Sequence, residues 1–324
     1  MATILFCFRL NDNLHVRSLS EKIREKAREF GIHRVGFAPA VELSSGRGRL
    51  AEWLARGNHG EMRWMEREPE KRTDPRILFP PAKTVISAAV NYFTPHQHEG
   101  PGKISRYAWG DDYHDVVKGK LTALLDWIKH EVPAAEGKVC VDTAPIMDKA
   151  WAVRGGLGWI GKHSNLITRE VGSWVFLGEI LIDLELEYET EPVADHCGTC
   201  TKCIEACPTD AITEPYVVDS RKCISYATIE LRDEELPPQI AENLNGWLYG
   251  CDICQDVCPW NRFEMPSEEE SFEPRNGETA LDPTRTAAME HEEYIVRFRR
   301  SAIKRAKLPG LKRNAAAVGG NREG

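Results

Sequence analysis

The chain has 324 residues, 42% hydrophobic and 28% charged, and a net charge of −8. That length suits two or three domains, and the composition is that of a globular protein rather than a disordered or fibrous one. No run of about 18 apolar residues occurs, which leaves no candidate membrane-spanning helix.

The N-terminus carries a short apolar patch around Leu5 without a basic region or twin-arginine pair ahead of it, so a cytoplasmic protein is expected. Residues up to about Val16 read as an extension. The first helix signal is Ser18 with Glu21 three positions on, a capping box that opens a helix over 18–30. Residues 33–38 read as a strand, 50–56 as helical and 84–92 as a strand bounded by Pro80-Pro81 and Pro95. An amphipathic helix is expected over 116–131. A strand over 138–141 and a helix over 147–154 precede a glycine-rich stretch, Gly155 to Gly161. Two strands, 165–168 and 174–186, follow around Gly172. The pattern is α+β and defines a first domain over 1–186.

Eight of the ten cysteines fall within the 62 residues from Cys197 to Cys258, and spacing favours metal over disulfides. Cys197-x2-Cys200-x2-Cys203-x3-Cys207-Pro208 is the bacterial ferredoxin run, whose fourth cysteine serves the other cluster. The partner set is Cys223, Cys251, Cys254 and Cys258, closed by Pro259. The crossing rule gives one [4Fe–4S] cluster to Cys197, Cys200, Cys203 and Cys258, and another to Cys207, Cys223, Cys251 and Cys254. Paired structural zinc sites are the alternative, disfavoured by the two Cys-Pro closures. Cys7 and Cys140 read as small buried apolar residues. This module spans 187–265. The block 266–324 begins with an acidic stretch, Glu264 to Asn276, expected to be a solvated loop, and continues as short helices broken at Pro309-Gly310.

Charge is unevenly placed. From Tyr294 to Gly324 there are nine Lys/Arg and one Glu, in a chain whose total is −8. Such a basic tail on an acidic chain suits nucleic acid, with a solvated helix face as the alternative. No Rossmann glycine fingerprint and no Walker loop appears. The glycines around Trp159 fit either a plain turn or close approach to a flat cofactor.

Several stretches together resemble epoxyqueuosine reductase. They include Val141-Asp142-Thr143-Ala144-Pro145, Lys149 to Arg154, Gly158-Trp159-Ile160-Gly161-Lys162, Ser105-Arg106-Tyr107 and Asp112-Tyr113-His114. Further matches are Cys223-Ile224-Ser225-Tyr226, Gly250 to Gln255, Ser301 to Arg305 and Gly310 to Ala315. The resemblance implies a nitroreductase-like cobalamin-binding domain, a ferredoxin-like domain with two [4Fe–4S] clusters and a short HEAT-like helical tail. It implies reduction of epoxyqueuosine to queuosine at the tRNA wobble position (Asn, Asp, His and Tyr acceptors) by a monomer with an external electron donor. Asp142 maps to the family's general acid, which burial beside a corrin would hold protonated; helix N-capping is its other reading. Implied cobalamin contacts are Arg106, Tyr107, Asp142, Gly158, Trp159, Gly161, His163, Ser225 and Asp252. The D-x-H-x-x-G motif is missing, so no histidine is expected as lower cobalt ligand. Lys304, Arg305, Lys312 and Arg313 are the expected tRNA contacts. The alternative is a corrinoid reductive dehalogenase, which resembles the chain in cluster layout but carries a twin-arginine signal and a Tyr donor.

Overall fold

The computed structural model describes residues 17–188 and 192–320, so Cys7 and the N-terminal extension lie outside the described residues. Alternating apolar runs build a four-stranded antiparallel sheet from β1 (Arg34–Pro39), β2 (Thr84–Asn91), β3 (Gly137–Cys140) and β4 (Val175–Ile182). Their spatial order is β1-β2-β4-β3. Every residue of β2 is buried, because helices cover both faces. On one face lie α1 (Leu19–Glu29), opened by the Ser18–Glu21 capping box, and α2 (Tyr113–Glu131). Ile23, Ala27, Leu121, Leu124 and Ile128 pack there on Ile86, Ala88, Val90, Ile180 and Ile182. On the other face α3 (Asp148–Arg154) sets Trp151 against Val85 and Leu181, and Ala152 against Ala89 and Leu177.

A second sheet joins distant parts of the chain. Gly102–Ile104 pairs in parallel with Trp247–Tyr249 and antiparallel with Ala280–Leu281. The apolar cluster beneath it mixes Ile104 and Trp109 with Ile224, Leu248, Tyr294, Leu311 and Val318. Residues from the blocks 1–186, 187–265 and 266–324 therefore share one core.

Two expectations are corrected. The acidic stretch is not a free loop: Phe272 is buried against Phe176, Glu269 pairs with Lys120 at 2.5 Å, and Ser267 Oγ donates to Asn91 O at 2.7 Å. A single buried aromatic residue and its polar neighbours anchor it despite its charge. Pro309 breaks no helix. It lies in the first turn of α4 (Lys307–Gly320), where a missing N–H costs nothing. Midway along that helix, the buried Asn314 donates from Nδ2 to Thr228 O (2.8 Å) and Leu248 O (3.0 Å), pinning α4 to the cluster region.

Candidate active site

Short turns set the eight cysteines around two spaces. Cys197, Cys200, Cys203 and Cys258 line a pocket of about 130 Å³, closed by His196 and Trp260. Cys207, Cys223, Cys251 and Cys254 line the wall of a larger cavity of about 500 Å³. The division is the one given by the crossing rule. Lys162 Nζ holds the first ligand loop by donating to Gly198 O (2.7 Å) and Cys200 O (2.9 Å). All nine described cysteines are free thiols. Four cysteines spread around a pocket suit a cubane, whose iron corners each take one thiolate.

The larger cavity lies between the two halves. Val175, Phe176 and Leu177 of β4 give it an apolar wall, Tyr92, Tyr107 and Tyr113 add aromatic surface, and Ser225, Asp252 and Ile253 close the side toward the second set of cysteines. Asp142, Asp148 and Lys149 supply charge. These residues would hold a flat corrin. His163 lines both spaces. Its Nδ1 accepts from Asn165 N–H at 3.2 Å, so the neutral ring carries its hydrogen on a buried, unpartnered Nε2. Burial pushes its pKa down to about 4.

Asp142 follows β3 with φ of +41°, a backbone region that Asp tolerates better than most residues and that clusters at functional sites. It caps no helix, since α3 begins at Asp148 after Met147. Tyr113 Oη donates to Asp142 Oδ2 at 2.5 Å, and His114 Nε2 lies 2.9 Å from the same oxygen. His114 Nδ1 lies 2.7 Å from Asp112 Oδ1. Asp112 is also the N-cap of α2, so the helix start itself aims His114 between two carboxylates. The expectation that desolvation holds Asp142 protonated is corrected. Desolvation does work upward, but hydrogen bonds from His114 and Tyr113 and the charges of His114 and Lys149 outweigh it, leaving Asp142 below the usual carboxylate range. For His114 desolvation works downward and the two carboxylates overcome it, raising the pKa to about 9. At neutral pH the proton resides on the imidazolium, one hydrogen bond from Asp142.

Other expected site residues are placed differently. Arg106 does not line the cavity; its guanidinium sits over the rings of Phe93, Trp109 and Trp174 at 5.5, 4.8 and 5.6 Å. Gly158 admits no side chain, because a Cβ would meet the backbone Ile167 O at 2.0 Å, and at Gly161 a Cβ would press on the Ile167 side chain at 2.6 Å. Trp159 packs on Ile167 and Cys258 beside the first cysteine set. The glycine-rich run is thus a close backbone crossing and contributes no flat surface to the cavity. Arg313 is a structural clamp, donating to Ala227 O (2.7 Å), Leu231 O (3.1 Å) and Asp233 O (2.8 Å). Arg305 is forked onto Glu230 with both contacts at 2.7 Å, and Lys304 and Lys312 are half-buried. His114 was legible only as a polar residue at a helix start; Lys149, Asp148 and Ser105 gave no signal of their own.

This fold and site define a two-cluster redox enzyme with a carboxylate, an imidazole and a phenol at the mouth of a cavity beside the second set of cysteines. Residues 72–143 match the family described as "Epoxyqueuosine reductase QueG, DUF1730", and residues 196–261 match a "4Fe-4S double cluster binding domain". The epoxyqueuosine reductase of Cellulophaga algicola is 48% identical over 296 residues, covering 91% of this chain and 96% of the relative. That of Synechocystis sp. is 50% identical over 289 residues, covering 87% and 99%. A crystal structure of epoxyqueuosine reductase with an epoxyqueuosine-modified tRNA-Tyr stem loop superposes with a TM-score of 0.86 at 31% identity, covering 93% of this chain and 80% of that one. The chain belongs to the epoxyqueuosine reductase family.

The raised pKa of His114 has a sign. Its contribution to stability is complete below about pH 6.5, the ordinary histidine value, and is lost as pH rises through about 9. In the cofactor-free protein the His114 ring proton signals should titrate with a midpoint near 9. In Asp142→Asn the midpoint should fall toward the ordinary value, since one of the two flanking carboxylates is gone. Proton NMR across pH 5 to about 10 reads both.

Proposed function

We propose that the chain reduces the epoxide of epoxyqueuosine at the tRNA wobble position to the alkene of queuosine, with Asp142 as proton donor. The observation that carries this reading is the Tyr113–Asp142–His114 constellation at the mouth of a cavity whose far wall holds four cluster cysteines. Cys197, Cys200, Cys203 and Cys258 hold the outer [4Fe–4S] cluster, and Cys207, Cys223, Cys251 and Cys254 the inner one. Tyr107, Ser225, Asp252 and His163 line the space for cobalamin. Bound there, the corrin supplies a strongly reducing two-electron centre. The chain's own residues exclude water, orient the substrate and move protons. As negative charge develops on the epoxide oxygen, Asp142 passes it a proton drawn from His114. Tyr113 keeps the carboxylate oriented throughout. A positioned acid of this kind contributes roughly 10²–10⁴-fold in rate.

The division of labour follows the sequence blocks: 1–186 carries the proton donor, 187–265 the electron path, and 266–324 the approach to RNA. Asp112 N–H donates to Arg300 O at 2.9 Å, and the charge of Arg305 bears on Asp142, so the basic segment borders the same mouth. Its exposed cations are Arg299, Arg300, Arg305 and Lys307. Among the described residues no helix is long and apolar enough to cross a membrane. The reading includes a cytoplasmic monomer, an external low-potential electron donor, and tRNAs for Asn, Asp, His and Tyr. A dehalogenase reading loses to it, because the carboxylate occupies the donor position and Tyr113 only supports it.

Asp142→Asn keeps the side chain's size and removes its proton. In single-turnover assays with pre-reduced, cofactor-loaded protein it should convert epoxyqueuosine at least about a hundredfold more slowly while both clusters and cobalamin remain bound. Near-wild-type conversion would remove Asp142 from the mechanism. The tail has a separate test. Charge reversal at Arg299, Arg300 and Lys307 should weaken binding of an anticodon stem-loop and flatten its salt dependence, by about one unit of slope per lost phosphate contact. Arg313→Glu should instead lower thermal stability, because three carbonyls lose their donor.

A further inference from the structure

The side of the sheet beneath α3 carries one fully buried row with polar side chains. Gly36 of β1, Ser87 of β2, Glu179 of β4 and Cys140 of β3 are successive cross-strand partners. Ser87 and Cys140 are each 1% exposed and Glu179 is 0% exposed. Neither carboxyl oxygen of Glu179 has a hydrogen-bond partner, nor does Ser87 Oγ, nor Nε1 of Trp151 on α3. Trp151 packs on Val85 and Leu181, which stand two residues from Ser87 and Glu179 on the same face, and on Cys140. Four unpartnered polar atoms from three elements thus share one internal compartment. Groups of this kind in a folded interior are satisfied by bound water.

The compartment has one closed end. At β1 the backbone of Gly155 lies so near that a Cβ on Gly36 would stand 1.8 Å from its carbonyl oxygen. Asp148, the first residue of α3, lines the large cavity together with Asp142 and Lys149, and its charge bears on Glu179. Burial, then the charges of Asp148 and Asp142, push the Glu179 carboxyl well above its ordinary range, and no cation offsets them. Burial likewise pushes Asp148 up, against the pull of Lys149. Isolated carboxyls in such surroundings take up a proton instead of remaining ionised.

We propose that Glu179 is an internal proton store for the active site, delivering its proton through compartment water and Asp148 to Asp142. Reduction of an epoxide to an alkene and water takes two electrons, from the clusters, and two protons. The first proton comes from His114 through Asp142. For the second, the Glu179 O–H bond breaks, Asp148 relays the proton, and a new O–H bond forms on Asp142, which passes it to the departing oxygen. Glu179 remains ionised until product leaves and solvent refills the chain. A tRNA seated over that mouth would close the route by which His114 is recharged, and an interior source would then serve the second step. The proposal rests on Asp142 as donor, whereas its first test does not.

That test is the infrared spectrum of cofactor-free protein carrying ¹³C at the glutamate carboxyls. The expected result at neutral pH is a protonated-carboxyl band that shifts with the label and is lost in Glu179→Gln. In the loaded enzyme Glu179→Gln should lower steady-state turnover about tenfold, less than loss of the donor itself, with KM and cobalamin affinity unchanged. The solvent deuterium isotope effect should rise, which a packing defect would not produce. Absence of a label-sensitive protonated band at neutral pH overturns the assignment, as does wild-type turnover by the variant. Should Glu179→Gln fail to fold, the presence or absence of the band in labelled wild-type protein is decisive alone.

Discussion

Asp252 fixes the cluster region to the catalytic half. It stands between the ligands Cys251 and Cys254, is 1% exposed, and accepts hydrogen bonds from Ser105 Oγ and from Arg106 N–H at 2.7 Å. Burial, its main influence, pushes its pKa up to about 7 against those two donors. Arg106 is immobilised in turn by three aromatic rings. The thiol-bearing turn and the wall of the cavity therefore move as one piece. Electron transfer needs such fixed placement, because the inner cluster must stay against whatever occupies the cavity.

Charges and protons are sorted by the same arrangement. The second set of cysteines, Asp142 and Tyr113 line one cavity, and His114 joins it through its contact with Asp142. In the proposed mechanism the electron path and the proton path open onto that one space. Asp142 is exposed and ionised because its neighbours donate to it; Glu179 is enclosed and neutral because none do. Two carboxyls joined through Asp148 accordingly hold opposite protonation states, set by environment alone.

Much of this was legible in the sequence. Two- and 3.6-residue periods located β2, β4 and α2 within a few residues, since both faces of the sheet are covered and apolar runs are long. The Cys-Pro closures and crossing rule divide the eight cysteines into the same two groups that line the two spaces, because short spacers leave few ways to converge. Asp142 could be singled out only through resemblance; nothing in its neighbours says that the chain turns into a left-handed conformation there. The His114 contact joins residues 28 apart, and Ser105 to Asp252 spans 147, so no local pattern could show either. The glycines from Gly155 to Gly161 misled for a related reason: a glycine chosen for backbone contact looks the same in sequence as one chosen for a ligand. Arg313 looked like part of a basic surface and is instead, with Asn314, a fastener of α4.

Electrons from two clusters and protons from Asp142 meet, in this mechanism, at one bound epoxide. The most direct measurement is mass spectrometry of an anticodon stem-loop carrying epoxyqueuosine after anaerobic incubation with the cluster- and cobalamin-loaded protein and a low-potential reductant. The predicted result is loss of a single oxygen atom from the modified base, dependent on both cofactors. An unchanged base after loading and reduction are verified, or conversion that proceeds equally without cobalamin, would contradict the mechanism.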